Sequence, residues 1–436
     1  MKKKRLILLE INEINFEVVR QYLDQDKHCF PALRRLLNWK MVNTLAEPDY
    51  KNIEPWIQWV SIHSGLSYPE HGIFRLGDIV GSKVPQIFER LEKAGVSVGC
   101  ISPMNADNRL CDPKYFVPDP WTKTKTDGSW WSRKIHGAIS QAVNDNSQSR
   151  ITLGSLFVLF LGFVRFSQVC NLGFYLKYLV TCLRKPWLKA LFLDLFLHDL
   201  HFKLQDKTSP DFSCIFLNAG AHIQHHYFLN AMPFKSAKSR NPEWYLQSSR
   251  DPLRDAIECY DRIIAQYLTV PGLDIIVATA LSQVPYDRLK YYYRIRDHSG
   301  FLKFIGADGF LVSPRMTRDF LVEFSDRVSM GNSFKLLSSL RVKSDGKPLF
   351  SEIEQRDLSL FVTLTYPNEV DMDTIVIGDG LEFKLAPHVV FVALKNGMHE
   401  SKGYAFFSHG AEPFAPKDNM HVKELAHSVL RYYDVC

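Results

Sequence analysis

The stretch Asp211 to Phe228, DFSCIFLNAGAHIQHHYF, decides how this chain is read. Phe212, Cys214, Ile215, Phe216 and Leu217 have the length and flanks of a strand buried on both faces. The small residues Asn218-Ala219-Gly220-Ala221 then allow a tight turn, and His222, His225 and His226 follow. A helix starting there places His222 on one face with the other two, since offsets of three and four align on a helix. In open parallel sheets ligands bind beyond the carboxyl ends of strands, which is where this cluster falls. A surface helix that is merely rich in histidine is the plain alternative.

Working outward, Arg5 to Ile11, Val96 to Ile101 and Asp274 to Thr279 are further short apolar runs that read as strands. Amphipathic segments at Glu17 to Leu23, Val84 to Lys93 and Leu253 to Leu268 lie between them. Alternating strand and helix predicts a doubly wound α/β domain with a mostly parallel sheet over 1–436. Two regions break the rhythm. Residues 129–204 carry almost only helical pattern and are expected to form a helical cap. Residues 301–394 alternate between apolar runs and turn signals such as Ser344-Asp345-Gly346 and Gly378-Asp379-Gly380, which predicts a small β subdomain.

The 436 residues, 46% of them hydrophobic, suffice for a sizeable core and exclude a disordered chain. A net charge of +6, with basic residues scattered among 47 acidic ones, suits a small anionic or phosphorylated substrate and gives no nucleic-acid footprint. The eight cysteines have no CxxC spacing, so they are expected to be reduced thiols in a cytoplasmic protein. The apolar run after Met1-Lys2-Lys3-Lys4-Arg5 is too short for a signal core and reads as the first strand. Leu156 to Val164, LFVLFLGFV, is too short to span a bilayer and is expected to be a buried helix. The wider segment 151–195 interleaves Lys177, Arg184, Lys185 and Lys189 with apolar residues, a pattern compatible with peripheral membrane contact.

Polar residues crowd the expected strand ends. Glu10, Asn12, Glu13 and Asn15 follow the first strand, where ligand binding and helix capping by an asparagine are both open. Glu54 and Gln58 flank Pro55, a residue suited to a first helical turn. Ser282 and Gln283 follow the strand at 274–279 and suit either a ligand or a turn. His399 follows Asn396-Gly397-Met398.

In order, these segments resemble the alkaline phosphatase superfamily, and within it the type I phosphodiesterase/nucleotide pyrophosphatase-like branch. The marks are Ser64-Gly65-x-x-Tyr68-Pro69-Glu70-His71-Gly72-Ile73, Ile87 to Val98 (IFERLEKAGVSV) and His421 to Val435 (HVKELAHSVLRYYDV). The resemblance implies a Thr, Ser or Cys nucleophile between two divalent ions held by Asp and His. This chain departs from that pattern. The first-strand Asp falls at Asn12, and Asn52 to Trp59, where the nucleophile belongs, holds no Thr, Ser or Cys. The Asp-x-x-x-His segment becomes Ala221-x-x-x-His225, and Ser-Asp-His-Gly becomes Leu281-Ser282-Gln283-Val284. His225 and His399 survive as metal ligands if a metal is retained. Neutral side chains cannot offset two dications, so an ordinary two-zinc site is not expected, while a rearranged site drawing on Glu10, Glu13, Glu54 and His222 stays open.

Two functions follow. One is a hydrolase or transferase of phosphoric esters with an altered site, in which Glu54, His225 and His399 are catalytic and Glu10, Asn12, Glu13, Gln58, His222, Gln224, Ser282 and Gln283 bind substrate. The other is an inactive binding or scaffold protein whose anion cleft holds a phosphorylated sugar, nucleotide or lipid.

Overall fold

A computed structural model describes residues 4–144, 152–234, 239–314 and 318–435. The chain forms two units: one from the residues up to 238 together with Pro242–Pro285 and Gly397–Cys436, the other from Ser239–Asn241 and Tyr286–Asn396.

The first unit is built on an eight-stranded sheet. Its strand order is Met420–His421, Lys40–Leu45, Lys402–Phe407, Asp274–Ala278, Leu6–Ile11, Phe212–Leu217, Val98–Ile101 and Tyr115–Val117. The central strands are parallel, with Leu6 opposite both Phe212 and Asp274. Lys402–Phe407 alone runs antiparallel to its neighbours. That reversal has a positional consequence. The start of this strand, rather than its end, lies at the edge where the parallel strands finish.

Alternation along the first strand sorts its side chains to two faces. Ile7, Leu9 and Ile11 enter one apolar layer with the helices Phe16–Gln25, Leu188–Thr208, Ala219–Tyr227 and Pro252–Tyr267. Leu6 and Leu8 enter the other, with the helices Pro55–Ser64, Ile87–Lys93 and Glu424–Tyr432. Helices on both faces make the domain doubly wound α/β. All seven described cysteines are free thiols.

Residues 129–204, expected to form a helical cap, hold the helices Trp130–Asn144, Leu153–Phe166, Leu172–Thr181 and most of Leu188–Thr208, the last of which packs in the layer on one face of the sheet. One expectation fails here. The Leu156 to Val164 run is helical but not buried: Leu153–Phe166 buries only Gly162 and Phe166. The helix is apolar all round, so sequence offers no polar face to mark which side meets solvent.

The second unit is antiparallel. Its four-stranded sheet runs Glu352–Arg356, Ser359–Thr363, Asp319–Phe324, Phe310–Pro314, and a three-stranded sheet joins Arg341–Val342, Ile375–Gly378 and Leu381–Lys384. It begins at Tyr286 rather than near 301, because Ser282 and Gln283 do not form a turn but open a fourteen-residue strand, Ser282–Ile295, that leads into it.

Candidate metal centre

Five chain segments meet at the carboxyl edge of the large sheet inside the first unit, those holding Glu13, Glu54, His225, Gln283 and His399. After Ile11 the chain places Glu13 at φ +60°, the left-handed region, which costs a non-glycine residue about 1–3 kcal/mol. Asn15 then caps the helix Phe16–Gln25, accepting from Glu17 N (3.0 Å) and Val18 N (3.2 Å). The two asparagines therefore divide the roles left open by sequence. Asn15 caps the helix, and Asn12 donates to Glu13 Oε1 (2.8 Å) and Asn218 Oδ1 (2.8 Å) while accepting from Trp59 Nε1 (2.8 Å).

The helix Ala219–Tyr227 brings in His225. Its first N–H groups are held from outside, Asn218 N and Ala219 N donating to Asp194 and Gly220 N to the Tyr260 hydroxyl. Burial pushes the Asp194 carboxyl up to about 6, against the bonds from Ala219, Tyr260 and Asn218 that favour its charge. From the antiparallel side, the segment before Lys402 brings in Gly397 and His399.

Glu13, His225 and His399 converge. Glu13 Oε2 stands 3.2 Å from His225 Nε2 and 3.2 Å from His399 Nε2, and the two nitrogens are 3.2 Å apart. Their outer nitrogens assign the tautomers. His225 Nδ1 faces the Gly397 carbonyl at 3.2 Å, and a carbonyl only accepts, so Nδ1 carries the hydrogen. His399 Nδ1 faces Glu54 Oε2 at 3.5 Å with the same result. In the neutral rings both Nε2 atoms then present lone pairs to the point where the Glu13 carboxylate already points. With the rings neutral, three acceptors on one point suit a metal cation between them, and a hydrogen on either Nε2 bridges the same atoms when none is bound. With the rings protonated and no metal between them, burial still opposes ionisation of Glu13, but the charges of His399 and His225 and the bonds from their Nε2 hydrogens outweigh it and hold the carboxyl well below the usual range.

The ligand spacing tests which cation fits. A tetrahedral ion with bonds of about 2.0–2.1 Å to nitrogen and oxygen holds its ligand atoms about 3.3–3.4 Å apart. The 3.2 Å triangle matches, and two histidines with one glutamate form a set that leaves a fourth position open, as catalytic zinc sites do. Among the described residues a second group of possible ligands, Glu10, His63 and Cys214, lies buried on the other face of the sheet. Each ligand also has an outer partner: the Gly397 carbonyl for His225, Glu54 for His399, and Asn12 and Gln283 Nε2 for Glu13.

Of the residues proposed from sequence, the structure thus joins Glu13, His225, His399, Glu54, Asn12 and Gln283. Ser282 lies beside them, its hydroxyl donating to Glu400 (3.4 Å). The others go elsewhere. Glu10 shares the face of Leu6 and Leu8, so it points under the sheet, where Oε1 is 2.7 Å from His63 Nε2 and accepts from Cys214 Sγ (3.0 Å). Gln58 is buried, accepting from Glu47 N and donating to Asn52 O. Gln224 bonds the backbone of Asn15 and Glu13, and so fixes the turn rather than meeting a ligand. His222 is exposed, its ring 4.7 Å from that of His226.

Sequence reasoning missed Gly397. A Cβ there would stand 2.1 Å from Gln283 Oε1 and 2.8 Å from Gln224 O. The Asn-Gly pair at 396–397 was the available signal, though it reads equally as a turn.

No protein-family model matches the chain, and no curated protein matches it. Solved structures similar to it include phosphonoacetate hydrolase from Sinorhizobium meliloti 1021 in complex with phosphonoformate, at 11% identity and TM-score 0.42, covering 99% of this chain and 96% of that one. Alkaline phosphatase from the Antarctic bacterium TAB5 matches at 9% identity and TM-score 0.42, covering 100% of both chains. Murine ectonucleotide pyrophosphatase/phosphodiesterase 5 matches at 10% identity and TM-score 0.39, covering 99% and 95%. These are proteins of the alkaline phosphatase superfamily. It is the superfamily that the sequence motifs resemble, and likeness at these scores decides nothing about chemistry.

The Tyr68-Pro69-Glu70-His71-Gly72-Ile73 motif gives a pH prediction away from the metal centre. His71 Nδ1 accepts from Ile73 N (3.0 Å), and its Nε2 stands 3.1 Å from Ser61 Oγ, so the ring is neutral with the hydrogen on Nε2. Burial, helped by the nearby His421, lowers its pKa to about 4. An unfolded histidine protonates near 6.5, so between about pH 6.5 and 4 unfolding takes up a proton here. The contribution of His71 is therefore complete above pH 6.5 and is lost as pH falls through that window. His71→Gln keeps a donor for Ser61 and is expected to flatten the fall in urea midpoint between pH 6.5 and 4; equal slopes in the two proteins would refute the assignment.

Proposed function

We propose that this chain is a hydrolase or transferase of phosphoric esters that works with one divalent ion, held by Glu13, His225 and His399. The observation that carries the reading is the 3.2 Å triangle of three acceptor atoms at the carboxyl edge of the sheet. When bound, such an ion supplies Lewis-acid stabilisation of charge on a transferring phosphoryl group. The chain's own residues do the rest. Gly397 and Glu54 hold the histidine rings by their Nδ1 hydrogens, and Asn12 and Gln283 fix the two oxygens of Glu13. Glu54, 32% exposed at its side chain, faces the solvent from which an attacking water comes. With no Ser, Thr or Cys in Asn52 to Trp59, transfer to water or to another small acceptor needs no enzyme ester.

The neutral residues at Asn12, Ser282 and Gln283 support a second reading, an anion-binding or scaffold protein without turnover. One experiment separates the two. The purified protein is analysed for zinc, manganese and iron, then assayed on phosphomonoesters and phosphodiesters with and without added metal. One ion per chain with turnover that disappears on chelation is expected. One ion without turnover on any ester, or no bound ion under any condition, removes the enzyme reading and supports the binding one.

A further inference from the structure

The cap helices present an apolar outer face. Leu153 is 85% exposed, Phe157 61%, Phe160 59%, Val169 84%, Leu176 64% and Leu183 91%. The first three lie at helical spacing along Leu153–Phe166, and Leu176 continues the face on Leu172–Thr181. Apolar side chains grouped in this way on the surface of a soluble unit mark a contact site.

Three observations say what covers them. First, no Asp or Glu occurs from 152 to 193, while Arg165, Arg184 and Lys189 are all exposed. A face that is apolar and basic complements a layer that is apolar inside and anionic at its surface. Second, neither helix by itself is long enough to cross such a layer. Leu153–Phe166 is about 21 Å long against roughly 30 Å of hydrocarbon, and it meets Val169–Thr181 at 114°. Third, a twofold pairing with a second copy of this chain would bring Arg165, Arg184 and Lys189 of both copies together, and the one acid seen at this face, Glu258, is already paired with Lys177, so like charge disfavours it.

We infer that the helices Leu153–Phe166 and Leu172–Thr181 seat this protein on an anionic membrane surface, their apolar residues entering the headgroup boundary and Arg165, Arg184 and Lys189 meeting lipid phosphates. The seat is tied to the metal-centre helix. The Trp187 ring packs on Tyr227 at 5.5 Å, two residues after His225, and Lys185 and Trp187 Nε1 both reach Asp255. The inference stands on the face alone and does not depend on the proposed reaction.

The test is co-sedimentation of the full chain with vesicles of phosphatidylcholine, with and without phosphatidylglycerol. Binding to the anionic vesicles that weakens with added salt is expected. Phe157→Glu with Leu176→Glu should weaken it about tenfold or more, the scale of losing one buried anchor. Arg184→Gln with Lys189→Gln should weaken it and reduce its salt dependence. Bound metal and the circular dichroism spectrum should not change in either variant, which separates lost docking from lost folding. Absence of vesicle binding, equal binding to neutral vesicles, variants that bind like the parent, or a dimer in solution that the glutamate substitutions dissociate would each overturn the inference.

Discussion

Glu13→Gln is expected to remove stoichiometric metal while the protein remains folded. The substitution keeps the size of the side chain and its position beside Asn12 and Gln283, but it replaces the only charged ligand with an amide. Two neutral imidazoles then face an uncharged group, and the charge that balances a dication is gone. Loss of an outer partner of a metal ligand typically costs 10–100-fold in affinity, so loss of the charged ligand itself should exceed about a hundredfold. Folding has less at stake, since the left-handed backbone at residue 13 is strained to the same extent by either side chain. A ligand at 100 times its Kd adds about 2.7 kcal/mol to stability. Chelation should therefore lower the unfolding temperature of the parent and leave that of Glu13→Gln unchanged. Titration calorimetry with zinc, combined with melting scans with and without chelator, checks both. A Glu13→Gln protein that still binds one zinc per chain at parental affinity would mean that the triangle is not the site.

Sequence reached this centre from the outside inward, and it stopped where backbone geometry took over. The buried strands at 212–217 and 274–278 are legible because burial on both faces demands uninterrupted apolar runs. His225 is legible once the strand end is placed, since the small residues at 218–221 leave nothing else for a turn to deliver. Glu13 is different. Glu10 and Glu13 look alike in the chain, and only the pleat of the strand and the left-handed turn at Glu13 send one under the sheet and the other into the cleft. His399 was named through the resemblance alone, and what brings it to His225 is that Lys402–Phe407 runs antiparallel, a long-range fact that no local pattern records. The exposed helix Leu153–Phe166 failed for the opposite reason. Its composition is that of a core helix, and composition cannot show that one side is left exposed among the described residues.

Gly397 is where packing and metal binding meet, and Gly397→Ala should damage both. The added Cβ would lie 2.1 Å from Gln283 Oε1 and 2.8 Å from Gln224 O. The first contact can be relieved by moving a side chain, though Gln283 is the residue that holds Glu13. The second cannot, because Gln224 O is backbone in the helix that carries His225, so that helix and the strand Val389–Glu400, which holds Gly397 and His399, must separate. Separation lengthens the His225 Nδ1 to Gly397 O contact and opens the ligand triangle from two sides. Overpacking of this kind costs about 1–3 kcal/mol. The accompanying fall in metal affinity should reach about 10–100-fold, since the outer partners of two ligands are displaced together. Gly331→Ala provides the contrast. It lies within the helix Arg327–Ser339, nothing stands within 4 Å of its added Cβ, and the substitution should stabilise by about 0.5–1 kcal/mol through helix propensity alone. Urea melts and zinc titrations of the two variants give opposite signs of stability change, with affinity altered only at 397. Parental zinc affinity in Gly397→Ala would show that the close approach of strand and helix serves packing and does not position the ligands.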